Sequence, residues 1–401
     1  MSLLVPSVLR DPDEPHRAAT PLELLFDLCF VVAVALLATE LHHGIVEHHA
    51  LEATLTYLVL FAPVWWVWVS HTWFATAFSH DDPLSRALTM LQMAGVLALA
   101  ATVPTAAAGD LGPFVLAYVA MRVPLVAQWL RAARDDPPHR AFALTYAYGS
   151  VVAMVVWLVA GAVPGPGRRL VVGAALAVEL ATPVLATRRA TGRVYHRGHV
   201  AERYGLFTII VLGETILAVV VGLRDALDGE GAASVPVVVG ASALVVGLAV
   251  WWLYFDLVGT GGIARERRAA FVWGYGHYVL FAAVAAVGAG VVAQLELDHA
   301  QEGSGLLPAA AVGVPTAAAL VAVAWLQSVS GGDRLPGVWL PLAATACLAV
   351  VAVAGIGDWS APAADLALAG VAVAVLGAWL VRARQGRRRT GEGATAPAVP
   401  V

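Results

Sequence analysis

Apolar residues fall in runs of about twenty along this chain, divided by short polar stretches. A helix needs about 20 mostly apolar residues to cross the hydrocarbon core of a bilayer. Runs of that kind lie near residues 21–41, 52–74, 86–106, 112–131, 141–162, 169–188, 203–223, 236–257, 269–293, 306–327, 337–356 and 363–382. The pattern predicts an all-α fold: a polytopic transmembrane helical bundle of about 12 helices.

Composition strengthens this. The 401 residues are 60% hydrophobic and only 13% charged, with a mean hydropathy of +0.77. Soluble domains average about 45–50% apolar and about 25% charged residues. Every basic residue is an arginine, and arginine placement orients the bundle, because cytoplasmic loops carry the excess of basic residues. With the N-terminus inside, the inner segments hold Arg10, Arg17, Arg86, Arg131, Arg134, Arg140, Arg188, Arg189, Arg193, Arg197, Arg203, Arg265, Arg267, Arg268, Arg334 and the group from Arg382 to Arg389. The outer loops hold Arg168, Arg169 and Arg224, and the outer segments HHGIVEHH and ELDHAQEGSG hold none. We expect a multipass protein of the inner (plasma) membrane with both termini cytoplasmic. The first apolar run lacks a small-residue cleavage site and is expected to stay as the first span. Cys29 and Cys347 both sit in apolar runs and are expected to be free thiols.

Twelve spans raise the question of duplication. Val64-Trp65-Trp66 in the second span is echoed by Val250-Trp251-Trp252 in the eighth, and Leu25-Phe26 by Leu206-Phe207. The division that follows is a cytoplasmic segment 1–18, a six-helix half 19–200, a second six-helix half 201–384 and a disordered cytoplasmic tail 385–401. The halves would be parallel repeats. Chance likeness between aromatic-rich spans is the competing explanation.

The chemistry should lie where charge meets hydrocarbon, since an ionised side chain at mid-bilayer costs roughly 2.5–3.5 kcal/mol or more. Glu23 and Asp27, four residues apart on one helix face, open the first span. Pro21 and Thr20 there suit a helix start, so helix-end electrostatics accounts for part of their presence. His71, Asp256 and the pair Glu202-Arg203 reach the same level, which predicts one polar layer at the cytoplasmic boundary. Arg122, Glu179 and Glu214 fall deeper, each about ten residues into its span and so near the midplane at about 1.5 Å per residue. Arg122 is expected to pair with Glu214 or Glu179. Gly213, Pro124 and Pro183 mark local weak points beside them. Glu214 and Arg122 carry the stronger functional claim and the boundary acids the weaker, because ion pairs also clamp helices together.

Other signals are slighter. His42, His43, His48 and His49 bracket Glu47 in an outer loop, but their spacing matches no metal site, and solvated histidines are the simpler reading. Trp65, Trp66, Trp68 and Trp73 suit an interfacial aromatic belt. Phosphate-binding, nucleophile-elbow and metalloprotease motifs are all missing, so no enzyme, cofactor or metal is expected.

Three phrases occur in order. They are Thr20-Pro21-Leu22-Glu23-Leu24-Leu25-Phe26-Asp27; Glu202-Arg203-Tyr204-Gly205-Leu206-Phe207 leading to Val211-Leu212-Gly213-Glu214-Thr215-Ile216-Leu217; and Trp251-Trp252-Leu253-Tyr254-Phe255-Asp256. Together they resemble the bacterial low temperature requirement protein A (LtrA) family of multipass membrane proteins. That family name reports a growth phenotype and implies membrane location without a mechanism. Phe26-Asp27 followed by an apolar helix also resembles the first helix of a potassium-channel family with six-helix repeats, although the serine of its motif is absent. The reading that follows is a proton-coupled secondary transporter of a small solute. Its expected path residues are Glu23, Asp27, Arg122, Glu202, Arg203, Glu214 and Asp256. The alternatives are an ion channel with six-helix repeats and a non-transporting protein of low-temperature or envelope adaptation. The expected partners are the lipid bilayer and a small solute or ion, with no nucleic acid.

Overall fold

A computed structural model describes residues 5–14, 17–78, 81–228, 234–259, 267–299, 304–330 and 336–390. Twelve helices among them are long and apolar enough to cross a membrane. The first half of the chain contains α1 (Pro21–Val46), α2 (Ala50–Phe78), α3 (Pro83–Ala101), the short α4 (Val103–Ala107), α5 (Gly112–Asp135), α6 (Arg140–Ala162) and α7 (Gly167–Arg188). The second half contains α8 (Arg197–Asp228), α9 (Ser234–Tyr254), α10 (Arg267–His299), α11 (Leu306–Ser330), α12 (Pro336–Gly357) and α13 (Ala361–Thr390). A turn of π-helix, Phe255–Gly259, follows α9. Because α13 runs through Thr390, it takes in the first residues of the segment read as a tail; residues 391–401 lie outside the described ones.

The helix starts follow local chemistry. Thr20 caps α1, and the cap is reciprocal: the Glu23 N–H donates to Thr20 Oγ1 at 3.3 Å, while the Thr20 N–H donates to Glu23 Oε2 at 2.8 Å. Pro21 sits in the first turn, where its missing N–H costs nothing. The prolines at 63, 124, 183, 315 and 341 lie inside helices that continue past them, and α8 continues through Gly213. The expected weak points therefore produce no breaks.

Two helices organise the packing. α10 is the most enclosed span, and α1 packs against α2, α3, α8 and α10, so it joins the two halves of the chain. Small residues allow close approach. A Cβ on Gly290 of α10 would stand 2.0 Å from the Ala311 carbonyl oxygen of α11, so only glycine fits there.

The last turns of α2 are buried on every side. Trp65, Trp66, Trp68 and Trp73 are all buried, which corrects the interfacial-belt expectation. Hydropathy does not distinguish a bilayer interface from a protein interior, and α2 lies in the interior. We call the end of the bundle where α1 begins the near end, and the opposite one the far end.

Candidate functional site

At the near end α1 and α8 meet through matched pairs of polar residues. Glu23 and Asp27 are one turn apart on α1; His199 and Arg203 are one turn apart on α8. Arg203 bridges the acids, with Nη1 3.1 Å from Glu23 Oε1 and Nη2 donating to Asp27 Oδ1 at 2.5 Å. Trp68 of α2 donates its indole N–H to the same Asp27 oxygen at 2.7 Å. All of these side chains are buried, with Asp27, His199 and Arg203 fully so. His71, also on α2, stacks on Phe26 at 3.7 Å between ring centroids.

The hydrogen-bond network assigns the tautomer of His199. The Thr76 hydroxyl donates to the Thr72 carbonyl at 2.8 Å, so its oxygen is left to accept from His199 Nδ1 at 2.9 Å. His199 Nδ1 therefore carries a hydrogen. Its other nitrogen, Nε2, stands 3.4 Å from Glu23 Oε1. A lone pair facing a carboxylate oxygen at that separation is repulsive; a proton on either atom makes the contact attractive. A proton shared there would leave these four side chains neutral, Glu23 and Asp27 against Arg203 and a protonated His199; without it Glu23 Oε1 and His199 Nε2 have no hydrogen-bond partner. Polar capacity remains unused, since Asp27 Oδ2, His71 Nδ1, Thr72 Oγ1 and Arg203 Nε have no hydrogen-bond partner.

The N-terminal segment covers this end. Arg17 donates to the carbonyls of Thr76 and Ala75, the latter at 2.6 Å. Burial pushes the Arg17 guanidinium down to about 10, with Arg10 adding to the fall, while Glu23 and Glu14 oppose it. The N–H groups of Ser7 and Leu9 bond the carboxylates of Asp135 and Asp136 at 3.1 and 2.8 Å, and Arg193 bonds Asp13 at 2.7 Å. Asp82 anchors the segment's start through the Val5 N–H and an ion pair with Arg131. Burial opposes ionisation of Asp82, but Arg131 and the N–H groups of Ser85 and Val5 outweigh it and hold the carboxyl well below the usual carboxylate range.

A second charged centre lies on the other side of α2. Glu179 of α7 accepts from Trp66 Nε1 at 2.6 Å, from the Tyr118 hydroxyl at 2.6 Å and from Arg122 Nη2 at 2.8 Å; Arg122 also donates to Ser150 Oγ at 3.0 Å. Both ions are about 1% exposed. Both oxygens of the acid are satisfied and the charges cancel, as a clamp between α2, α5, α6 and α7 requires.

The expected residues thus separate. Glu23, Asp27, His71 and Arg203 come together. Asp256 does not join them: it is exposed in the π-helical turn after α9 and accepts from Trp252 and Trp379 at 3.1 and 2.8 Å. Its depth fits the expected layer, but its direction around the helix does not. Glu202 is also exposed, turned away from its neighbour Arg203, and accepts from the Ala19 N–H at 3.2 Å. Arg122 chooses Glu179 rather than Glu214. Glu214 is half-buried, on a helix face away from that pair. At the far end, His42 meets Glu296 at 2.6 Å, and Glu40, His43, Glu47, His49 and Glu52 surround a cavity of about 330 Å³. Among the described residues no group of three or more such side chains is placed to hold a metal ion.

His199 is the member that the sequence reading passed over. Its signal was its place four residues before Arg203, the same spacing as Glu23 and Asp27.

The family description "Bacterial low temperature requirement A protein (LtrA)" matches residues 18–381, a stretch that contains both charged centres. The chain is also 32% identical, over 258 residues, to uncharacterized protein RA0937 of Rhizobium meliloti (strain 1021). That match covers 62% of this chain and 60% of the relative, so the chain spans less than two thirds of the relative's length. With twelve spans and a family match over nearly its whole length, the chain belongs to the LtrA family of bacterial multipass membrane proteins.

Proposed function

We propose that this protein is a proton-coupled secondary transporter of a small solute in the inner membrane, with both termini cytoplasmic. The observation that carries the reading is the 3.4 Å approach of His199 Nε2 to Glu23 Oε1, buried beside Asp27 and Arg203, where a proton would be shared. A neutral cluster that becomes negative on losing one proton is a two-state element, as proton coupling needs. The coupling group is then the Glu23–His199 pair rather than Glu214.

The surroundings support a gated path. A cavity of about 370 Å³ opens beside Val200 at the near end, lined by Trp73, Tyr195, Arg197, Phe271 and Trp273. The far-end cavity reaches Glu40, about 20 Å along α1 from Asp27 at about 1.5 Å per residue. Between them Phe26, Phe30, Trp68, Phe207 and Phe281 are packed to 1% exposure or less. Cavities at both ends of a sealed centre favour alternating access over an open pore.

The test is solute uptake into proteoliposomes under an imposed pH gradient, with external pH varied. Wild type should move at least one solute of a broad panel with a rate that depends on pH. His199→Gln and Glu23→Gln should lose that dependence. Single-channel currents in planar bilayers, or no pH-driven flux across the panel, would defeat the reading.

A further inference from the structure

A third buried acid lies at the far end. Asp365 is in the second turn of α13, only 2% exposed, and it faces Gln294 of α10, which is fully buried. Gln294 Nε2 donates to Asp365 Oδ1 at 3.2 Å and to the Pro308 carbonyl of α11 at 2.6 Å. Both amide hydrogens are used, which fixes the orientation of the amide. Two oxygens remain without partners, Gln294 Oε1 and Asp365 Oδ2, one on each of two groups already joined by a hydrogen bond. Ala309 and Ala364, the chain neighbours of Pro308 and Asp365, belong with Ala354 to one buried apolar cluster.

Counter-charge is missing. Among the described residues no cationic side chain contacts the Asp365 carboxyl. The titratable groups nearest along the packed elements are Asp298, one turn farther along α10, Asp358 just before α13, and Glu296, which is bound to His42. All but His42 are acids, and Asp358 accepts instead from Ser304 Oγ at 3.0 Å. An ionised Asp365 would face a bare amide oxygen in an apolar setting, where a lone carboxylate is strongly disfavoured. An acid O–H in the same place has a ready acceptor. A carboxylic acid and a primary amide pair edge to edge, each donating once and accepting once, and that arrangement satisfies both orphan oxygens.

We propose that Asp365 and Gln294 form a proton-binding pair, an acid–amide couple that ties α13 to α10 at the end of the bundle opposite the Glu23 cluster. The proton comes from the aqueous phase at the far end and sits on Asp365 Oδ2, donated to Gln294 Oε1. No bond other than O–H forms or breaks. Loss of the proton would set like partial charges against each other where Asp365 of α13 meets Gln294 of α10, weakening one contact beside the packing of α13 on α9, α11 and α12. This proposal does not rest on the transport reading.

Infrared difference spectroscopy of the full-length protein in lipid nanodiscs tests it. Wild type minus Asp365→Asn at neutral pH should show the C=O stretch of a protonated carboxylic acid assigned to Asp365. Asp365→Asn should also unfold at the wild-type temperature, because its amide N–H replaces the acid O–H, whereas Asp365→Leu should unfold lower. Should Asp365→Asn fold poorly, Gln294→Met keeps the carboxyl, removes its partner and must shift that band. An ionised-carboxylate signature in the difference spectrum overturns the proposal. So does an unshifted band in Gln294→Met, or a rise in unfolding temperature with sodium that Asp365→Asn abolishes, which would mark a cation site instead.

Discussion

The Arg122–Glu179 pair and the Glu23–Asp27–Arg203–His199 cluster share α2 as a wall. Trp66 serves one and Trp68 the other, two residues apart and so on opposite sides of the helix. Their arithmetic differs. The pair has one base and one acid; the oxygens of the acid are filled, while Arg122 Nε and Nη1 have no hydrogen-bond partner. The cluster has two acids, one arginine, one histidine and an Asp27 oxygen without a partner. A balanced centre can only be made or broken, whereas one that is a proton short of balance has two states. Burial and unpartnered polar atoms are common to both centres, so the number of acids against bases is what separates them.

That contrast can be broken in several ways. The largest effect should come from Arg203→Met, which leaves Glu23 and Asp27 buried without their bridge; a loss of about 3–5 kcal/mol is expected in unfolding from detergent. Glu179→Leu should approach the same loss by stranding Arg122. The double variant Arg122→Met/Glu179→Leu should recover most of it, because apolar replacement of a buried pair is often near neutral. If the double variant stays as unstable as the single one, the pair is more than a clamp.

His199→Gln sharpens the other side of the comparison. It should cost about 1.5–3 kcal/mol, the range for a hydrogen bond to a charged group, while removing the pH dependence of flux. A wild-type pH profile in His199→Gln would place the proton elsewhere.

Acid should act on the fastening of the N-terminal segment. Because the Asp82 carboxyl is held below the usual carboxylate range, its contribution is present above that range and is lost only as pH falls through the lowered value. Amide hydrogen exchange in residues 5–14 should therefore stay slow through mildly acidic pH and rise at strongly acidic pH. In Asp82→Asn it should be fast throughout. The smallest effect should come from Glu214→Gln, within about 0.5 kcal/mol in unfolding, since its side chain is not tied to either centre.

The twelve spans were legible because hydrocarbon thickness sets a run length that any sequence must display. The acids were legible as oddities, and the one-turn spacing of Glu23 and Asp27 foretold their shared face. Direction around a helix was not. Asp256 had the right depth and the wrong azimuth, and no pattern in an all-apolar span reveals which side faces protein. His199 was missed because α8 begins at Arg197, almost two turns before its apolar run. Apolar runs report where hydrocarbon begins, and α8 extends beyond it. Asp365 was missed because it opens a span where an acid looks like an ordinary helix start.

The bridge between α1 and α8 also bears on how the chain is made. Arg203 follows Asp27 by 176 residues. At about 5–20 residues per second of synthesis, α1 leaves the ribosome roughly 10–35 s before its counter-ion exists. During that interval the first span must enter the bilayer with its two acids protonated or held at the headgroups. The finished cluster thus imposes an order of assembly: the opening helix settles to its final depth only after the seventh span has arrived.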